Sequence, residues 1–116
     1  MYNKDDIIDI NESLVKDYIE SIRPEDPEIR KEVDINYTFT NKVFKLFQVR
    51  PNWRNPDTKE RFEFAKIQFI KSKQIWKLYW MRSNGKWELY QPFPESNRID
   101  KIIEVIKQDE HACFFG

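Results

Sequence analysis

The chain has 116 residues, of which 16% are aromatic and 34% are charged, and its 20 Lys and Arg residues balance its 20 Asp and Glu residues. This length predicts a single domain over residues 1–116, and two glycines and six prolines are too few for a disordered or low-complexity protein. The lone cysteine, Cys113, excludes an intramolecular disulfide and is typical of a reduced cytoplasmic protein.

Other classes of protein are disfavoured by what the sequence lacks. Residues 1–6 are polar and acidic, so we expect no signal peptide there. The apolar runs are too short to cross a bilayer, so we expect no membrane partner. Two glycines cannot form a glycine-rich phosphate loop, and the acidic clusters lack a calcium-loop or glycosidase spacing. We therefore expect no cofactor and no metal.

The first predicted element is an amphipathic helix. Its apolar stripe consists of Ile7, Ile8, Leu14, Val15, Tyr18, Ile19 and Ile22. Either Asp9 or Asn11 is the N-cap, since each fits a known capping pattern. Pro24 and Pro27 end the helix.

Four strands are predicted next. Residues from about Val33 to Phe39 alternate between apolar and polar, which is typical of a strand with one wet face. Thr40 and Asn41 make a turn into a second strand, from about Lys42 to Arg50, that is apolar on both faces. The following elements are a polar loop over 51–60, a third strand over 62–71, a turn at 72–74 and a fourth strand over 75–82.

The clearest local signal is Asn84-Gly85. Asn-Gly between two strand patterns favours a two-residue type I′ turn, in which both residues have positive φ. Its register would pair Tyr79 with Tyr90. Arg82 would face Trp87 as a cation–π pair. The predicted core face carries Trp76, Leu78, Trp80, Trp87 and Leu89, and the predicted wet face carries Lys77, Tyr79, Met81, Lys86, Glu88 and Tyr90.

A second helix completes the predicted fold. Pro92 and Pro94 end the fifth strand, and Ser96 is the predicted cap of a C-terminal helix. The buried stripe of this helix consists of Ile99, Ile102, Ile103 and Ile106. The order predicts an α+β fold: a five-stranded antiparallel meander with an N-terminal and a C-terminal helix packed on one face.

Several spaced motifs resemble one bacterial family. They are Arg50-Pro51-Asn52-Trp53-Arg54, Ala65-Lys66, Trp76-Lys77-Leu78-Tyr79-Trp80-Met81-Arg82, Lys86-Trp87, Tyr90-Gln91-Pro92 and the end Asp109…Cys113-Phe114-Phe115-Gly116. Together they resemble the family labelled domain of unknown function 3024, over nearly the whole chain. That family often has His where this chain has Glu88, and Phe-Trp-Gly where it has residues 114–116, so any role of that His is absent here. The resemblance implies a small, single-domain bacterial protein without an assigned activity.

Charge is divided by region although its total is zero. Residues 42–86 hold twelve Lys and Arg against three Asp and Glu. Residues 1–34 hold five against eleven, and residues 87–116 hold three against six. The basic region is also rich in aromatic residues, and this combination is typical of a surface that binds an anion.

Two groups of residues are candidate anion sites. Arg50, Trp53 and Arg54 would offer two guanidinium groups and a flat ring to a phosphate and a base. Alternatively, Trp53 covers the sheet edge and Arg50 pairs with an acidic helix residue. The second group lies on the predicted outer side of the hairpin and the neighbouring strand and consists of Lys66, Gln68, Lys77, Tyr79, Lys86 and Tyr90. It would stack bases, as the sheet faces of proteins that bind single strands do. Alternatively, it is an ordinary solvated sheet face.

The sequence favours a non-catalytic module that binds an anionic partner, with nucleic acid as one candidate. A protein–protein or homodimer module is the alternative, since oppositely charged elements complement each other between molecules as readily as within one. An enzyme that uses Arg50, His111 or Cys113 is a weaker alternative, because no nucleophile and base stand at a convincing spacing. Cys113 is otherwise a small hydrophobe and His111 a surface residue.

Overall fold

The computed structural model describes residues 4–115, and their side chains from residue 10 onward. The helices and strands of this part are α1 (Lys4–Ile22), α2 (Pro27–Glu32), β1 (Asp34–Thr40), β2 (Val43–Pro51), β3 (Lys59–Ile70), β4 (Ile75–Met81), β5 (Trp87–Leu89), β6 (Glu95–Ser96) and α3 (Ile99–Gln108). One antiparallel sheet has the order β1-β2-β3-β4-β5, and β6 also pairs with β4. The predicted α+β fold with terminal helices is confirmed.

Helix α1 extends further towards the N-terminus than its capping patterns predict. It begins at Lys4, so Asp9 and Asn11 lie inside it and neither is its N-cap. Asp and Asn cost at most about 0.7 kcal/mol relative to Ala inside a helix, so neither residue forces the helix to begin there. Val15, Tyr18 and Ile19 are buried as predicted, whereas Leu14 is exposed. The predicted burial of residues 7 and 8 lies outside the described side chains.

A short helix that the sequence did not predict follows α1. Pro27 occupies its first turn, where the missing N–H costs nothing. The Asp26 carboxylate caps it by accepting a hydrogen bond from the Glu28 N–H at 2.9 Å. Arg23, at the end of α1, donates two hydrogen bonds to the Asp34 carboxylate, at 2.9 and 2.8 Å. This pair joins α1 to the start of β1.

Two turns of the sheet differ from their predictions. The turn between β1 and β2 consists of Asn41 and Lys42 rather than Thr40 and Asn41. Asn41 and Lys42 both have positive φ, 53° and 64°, and connect β1 to β2 as a two-residue turn. In the hairpin between β4 and β5, Gly85 has a φ of 80° but Asn84 is not among the residues with positive φ. The Arg82 N–H donates to the Lys86 carbonyl, so the loop consists of the three residues 83–85, and the Gly85 N–H donates to the Arg82 carbonyl within it. The predicted type I′ turn there is wrong.

The longer loop moves the register by one residue. Tyr79 lies opposite Leu89, and Trp80 lies opposite Glu88. Tyr90 therefore turns towards the helices and is buried, with 2% of its surface exposed. Trp87 lies opposite Met81, on the face predicted to be wet. Because a slip of one residue exchanges the two faces of a strand, the predicted face assignments of Trp87, Leu89, Glu88 and Tyr90 are all wrong.

Helices α1 and α3 cover one side of the sheet, which we call the inner face, and the opposite side is the outer face. Helix α2 contacts β1 and β2, and its Lys31 carbonyl accepts a hydrogen bond from the Lys59 ammonium of the outer face. The core between the helices and the inner face includes Phe44, Leu46, Ile67, Leu78 and Tyr90. A bulge at Phe64 in β3 lets the strand follow the curved sheet. Phe47 is buried apart from this core, on the outer face, where the Arg61 guanidinium lies 4.4 Å from its ring centre.

The C-terminal helix buries the predicted stripe. Ile99, Ile102, Ile103 and Ile106 are its buried residues. Its N-cap is Arg98 rather than Ser96, because Ser96 pairs with β4 as part of β6. The Ser96 hydroxyl accepts a hydrogen bond from the Arg98 N–H at 3.1 Å just ahead of the helix. Among residues 4–115, no helix is long and apolar enough to cross a membrane.

Candidate anion-binding face of the sheet

Strand register places two lysines side by side at the centre of the outer face. Lys45 of β2 lies opposite Lys66 of β3, and Lys66 lies opposite Tyr79 of β4. On the other side, Thr38 of β1 lies opposite Lys45. Residues directly opposite each other in an antiparallel pair share a face and are in contact distance. Two like charges in this arrangement repel each other, so this pair lowers the stability of the sheet instead of raising it.

Aromatic rings hold the Lys66 ammonium in place. Its Nζ lies 4.4 Å from the ring centre of Tyr79 and 5.5 Å from that of Trp87. The Tyr79 hydroxyl in turn donates a hydrogen bond to the Gln68 amide oxygen at 3.4 Å. Burial, and then the charge of Lys45, lower the pKa of Lys66, while Glu63 acts in the opposite direction. The ammonium is thus oriented but only partly compensated.

Neither lysine is neutralised by an ion pair in the described part of the chain. The five ion pairs there involve Arg23, Lys31, Arg82 and Arg98 as the cations. Positive charge that is held in place and unpaired attracts anions. This pair of lysines is therefore a site on the outer face that can attract an anion.

A shallow depression of about 330 Å³ lies beside the two lysines. It is lined by Thr38, Thr40, Asn41, Val43, Lys45, Lys66 and Gln68. The lining combines two ammonium groups with hydroxyl and amide groups, all of which donate hydrogen bonds. Such a set fits an oxyanion, such as a phosphate group, better than an apolar ligand.

The sheet separates the residues predicted to form the second candidate site. Lys66, Lys77 and Tyr79 share the outer face, where Lys77 lies opposite both Gln68 and Glu95. Lys86 stands at the end of the exposed hairpin loop. Tyr90 is buried on the inner face, so it cannot belong to an outer platform, and its predicted pairing with Tyr79 is wrong.

The first candidate site is divided as well. Arg50 projects on the inner side of β2, where its Nε donates a hydrogen bond to the Gln48 amide oxygen at 3.1 Å. The expected ion pair of Arg50 with a helix does not occur among the described residues. Trp53 does not cover the sheet edge: it is 80% exposed, with the Arg54 guanidinium 4.7 Å from its ring centre.

The β2–β3 loop that carries Trp53 is ordered by one side chain. The Asn52 amide oxygen accepts hydrogen bonds from the N–H groups of Arg54 and Asn55, at 2.8 and 3.1 Å. The Asn52 N–H donates to the Thr58 carbonyl at 2.9 Å, which closes the base of the loop. The exposed ring therefore stands on a defined support.

Sequence reasoning missed Lys45, Trp87 and Thr38 as members of this face. Lys45 alternates with Phe44 and Leu46, and that alternation marks it as an outer-face residue of β2. Trp87 was assigned to the core because of the register slip, and no sequence signal corrects that slip. Arg82 stands near Trp80, 5.9 Å from its ring centre, instead of near Trp87.

The surroundings of Cys113 disfavour a nucleophile. A small depression of about 140 Å³ is lined in part by Glu88, His111 and Cys113, and Arg50 is not part of it. Burial and the carboxylates of Asp109 and Glu88 raise the pKa of the Cys113 thiol, which favours the unreactive protonated form. Within the described residues, no three His, Cys, Asp or Glu side chains are grouped as metal ligands would be.

Comparison with known proteins identifies a family without an assigned activity. A family model described as Domain of unknown function (DUF3024) matches residues 4–116. No curated protein and no solved structure matches the chain. The geometry of the outer face therefore carries the functional argument.

Proposed function

The chain belongs to the DUF3024 family, and we propose that it is a non-catalytic module that binds an anionic polymer, with nucleic acid as the leading candidate, through the outer face of its sheet. The observation that supports this most is the cross-strand pair of Lys45 and Lys66, which lack an ion pair among the described residues. A bound phosphate would remove the repulsion between the two ammonium groups. Loss of this Lys45–Lys66 repulsion would then contribute favourably to the free energy of binding.

The depression next to the lysines is suited to part of a polymer rather than to a whole small molecule. It is shallow and polar, whereas sites for small organic ligands are enclosed and mostly apolar. The partly exposed rings of Tyr79 and Trp87 flank it on the other side of Lys66. Cations beside aromatic rings on an open sheet are typical of proteins that bind nucleic-acid strands.

The experiment is an anisotropy titration of a labelled oligothymidylate at several salt concentrations between about 50 and 200 mM. The affinity should fall steeply with salt, since phosphate contacts release counterions. Lys66→Gln should weaken binding and reduce the slope of log K against log salt by about 0.7. Lys101→Gln, on the exposed side of α3, is the matched control and should change neither. Absence of binding by the natural chain at about 50 mM salt would end the proposal.

A second candidate, self-association, is favoured by the separation of charge between layers. A groove of about 520 Å³ between α1 and α3 is lined by Asp17, Asp100 and Glu104 together with Lys101 and Lys107. Three carboxylates against two ammonium groups give this groove a small excess of negative charge, which would attract the outer face of another copy weakly. Light scattering that finds only monomers at high protein concentration would exclude this candidate.

The proposal also includes a bacterial origin, a cytoplasmic location and a single domain over residues 1–116. A cytoplasmic location is supported by Cys113, which has no second cysteine in the sequence and is a free thiol. A single domain is supported by the one hydrophobic cluster that joins α1, α3 and the inner face.

A further inference from the structure

Cationic residues continue along the outer face from the lysine pair towards the Trp53 loop. Strand β3 places Lys66, Arg61 and Lys59 on this face, because they lie opposite Lys45, Val49 and Pro51 of β2. We call Lys45, Lys66, Arg61 and Lys59 the β3 track, after the strand that carries three of the four. At about 3.3 Å per residue, the track is roughly 20 Å long. It ends where the β2–β3 loop begins.

The cations of the β3 track are held by neutral groups. The Arg61 guanidinium lies over the Phe47 ring, and the Lys59 ammonium donates a hydrogen bond to the Lys31 carbonyl at 3.0 Å. Neither forms an ion pair within the described part of the chain. Glu63, opposite Phe47, is the acidic residue that interrupts the track on β3. Arg61, Lys59 and Lys66 are thus positioned by neutral groups, and Glu63 offsets part of their charge.

At the end of the β3 track stands Trp53, the most exposed large hydrophobic side chain among the described residues. Trp53 is 80% exposed although its loop is ordered by Asn52. Arg54 lies over the ring, and a large exposed ring beside a guanidinium has no role in the core. Exposed Trp and Arg side chains on a defined loop are typical anchors for a partner.

We infer that the anionic polymer is a single nucleic-acid strand that lies along the β3 track and stacks a base on Trp53. This inference rests on the proposed function, since it assumes that phosphates occupy the outer face. A duplex keeps its bases stacked on each other, so it offers no base to an exposed ring, whereas a single strand does. The guanidinium of Arg54 provides a phosphate contact next to the stacked base.

The test compares a single-stranded oligothymidylate with a duplex of the same length, bound to the full chain and to three variants. Trp53→Ala should weaken single-strand binding by about 5- to 150-fold, the range of base–aromatic stacking, and should leave duplex binding unchanged. Trp53→Phe should restore part of the loss. Phe62→Ala is the matched control, because Phe62 is 49% exposed in the same hairpin but on the inner side of the sheet.

The outcomes separate this inference from the proposed function. If Lys66→Gln weakens binding and Trp53→Ala does not, the stacking inference is wrong and the outer face remains the binding surface. If Trp53→Ala weakens single-strand and duplex binding equally, the ring does not select single strands and the inference is again wrong. If the natural chain binds neither nucleic acid at low salt, the proposed function fails first and the inference fails with it.

Discussion

The repulsion between Lys45 and Lys66 predicts a substitution that raises stability and lowers binding. The two residues are directly opposite on the outer face, and like charges in that position destabilise a sheet by about 0.2–1 kcal/mol. Lys45→Met removes one charge and keeps an unbranched apolar side chain. We expect the free energy of unfolding to rise by about 0.5 kcal/mol. The same change removes a phosphate contact, so the slope of log K against log salt should become shallower by about 0.7.

The pH dependence gives this prediction a second readout. The pKa of Lys66 is lowered in the folded protein by burial and by Lys45, so the folded state binds fewer protons than the unfolded state once Lys66 titrates. Stability therefore gains a contribution as the pH rises through that range. Lys45→Met should raise the pKa of Lys66 and reduce this gain. Nuclear magnetic resonance of the lysine side chains measures the pKa directly.

Urea unfolding followed by tryptophan fluorescence measures the change in stability. Lys77→Met is the matched control on the same face, because the residues directly opposite Lys77 are Gln68 and Glu95 and neither is positively charged. Lys77→Met should therefore leave stability unchanged or lower it slightly. If Lys45→Met destabilises the protein, or if both variants gain equally, the repulsion argument is refuted.

Three further predictions concern the scaffold. Asp34→Asn should lower the free energy of unfolding by about 1 kcal/mol in urea titrations near neutral pH, since it breaks the two charge-assisted bonds from Arg23. Because Arg23 lowers the pKa of Asp34 in the folded protein, the difference in stability between the natural chain and this variant should shrink as the pH falls below about 4. Gly85→Ala should cost about 1 kcal/mol in thermal unfolding, because a φ of 80° strains any side chain even though nothing crowds the new methyl group. Burial, reinforced by Asp109, raises the pKa of Tyr18 to about 12, so stability should fall as the pH rises from about 10 towards 12, and Tyr18→Phe should remove part of that loss.

Apolar periodicity was sufficient to predict α1, the five main strands and α3 in their order, but not α2, β6 or the details of the turns. The stripe of α3 was predicted residue by residue because its four isoleucines recur at helical spacing. The hairpin register was not, because Asn84-Gly85 is compatible with a two-residue and a three-residue loop, and only the conformation of Asn84 distinguishes them. Lys42 has positive φ without being Gly or Asn, so its turn carried no comparable signal.

The candidate site was predicted only in part, because the alternation along each strand can be read from the sequence and the length of the hairpin loop cannot. Lys66 and Tyr79 were placed on one face correctly, since adjacent strands that alternate regularly bring such residues together. Tyr90 was misplaced because one extra loop residue exchanges the faces of β5. The separation of Arg50 from Lys66 also needed the structure, because the two lie on opposite sides of neighbouring strands.

The most direct test of the central claim is to find where an anionic polymer touches the protein. Amide nuclear magnetic resonance spectra of the labelled chain, recorded during addition of oligothymidylate, report this for each residue. Binding at the outer face should shift the signals of Thr38, Lys45, Lys66 and Gln68 and leave those of α3 in place. Shifts confined to the helices, or spread evenly over the chain, would contradict the assignment of this face as the binding surface.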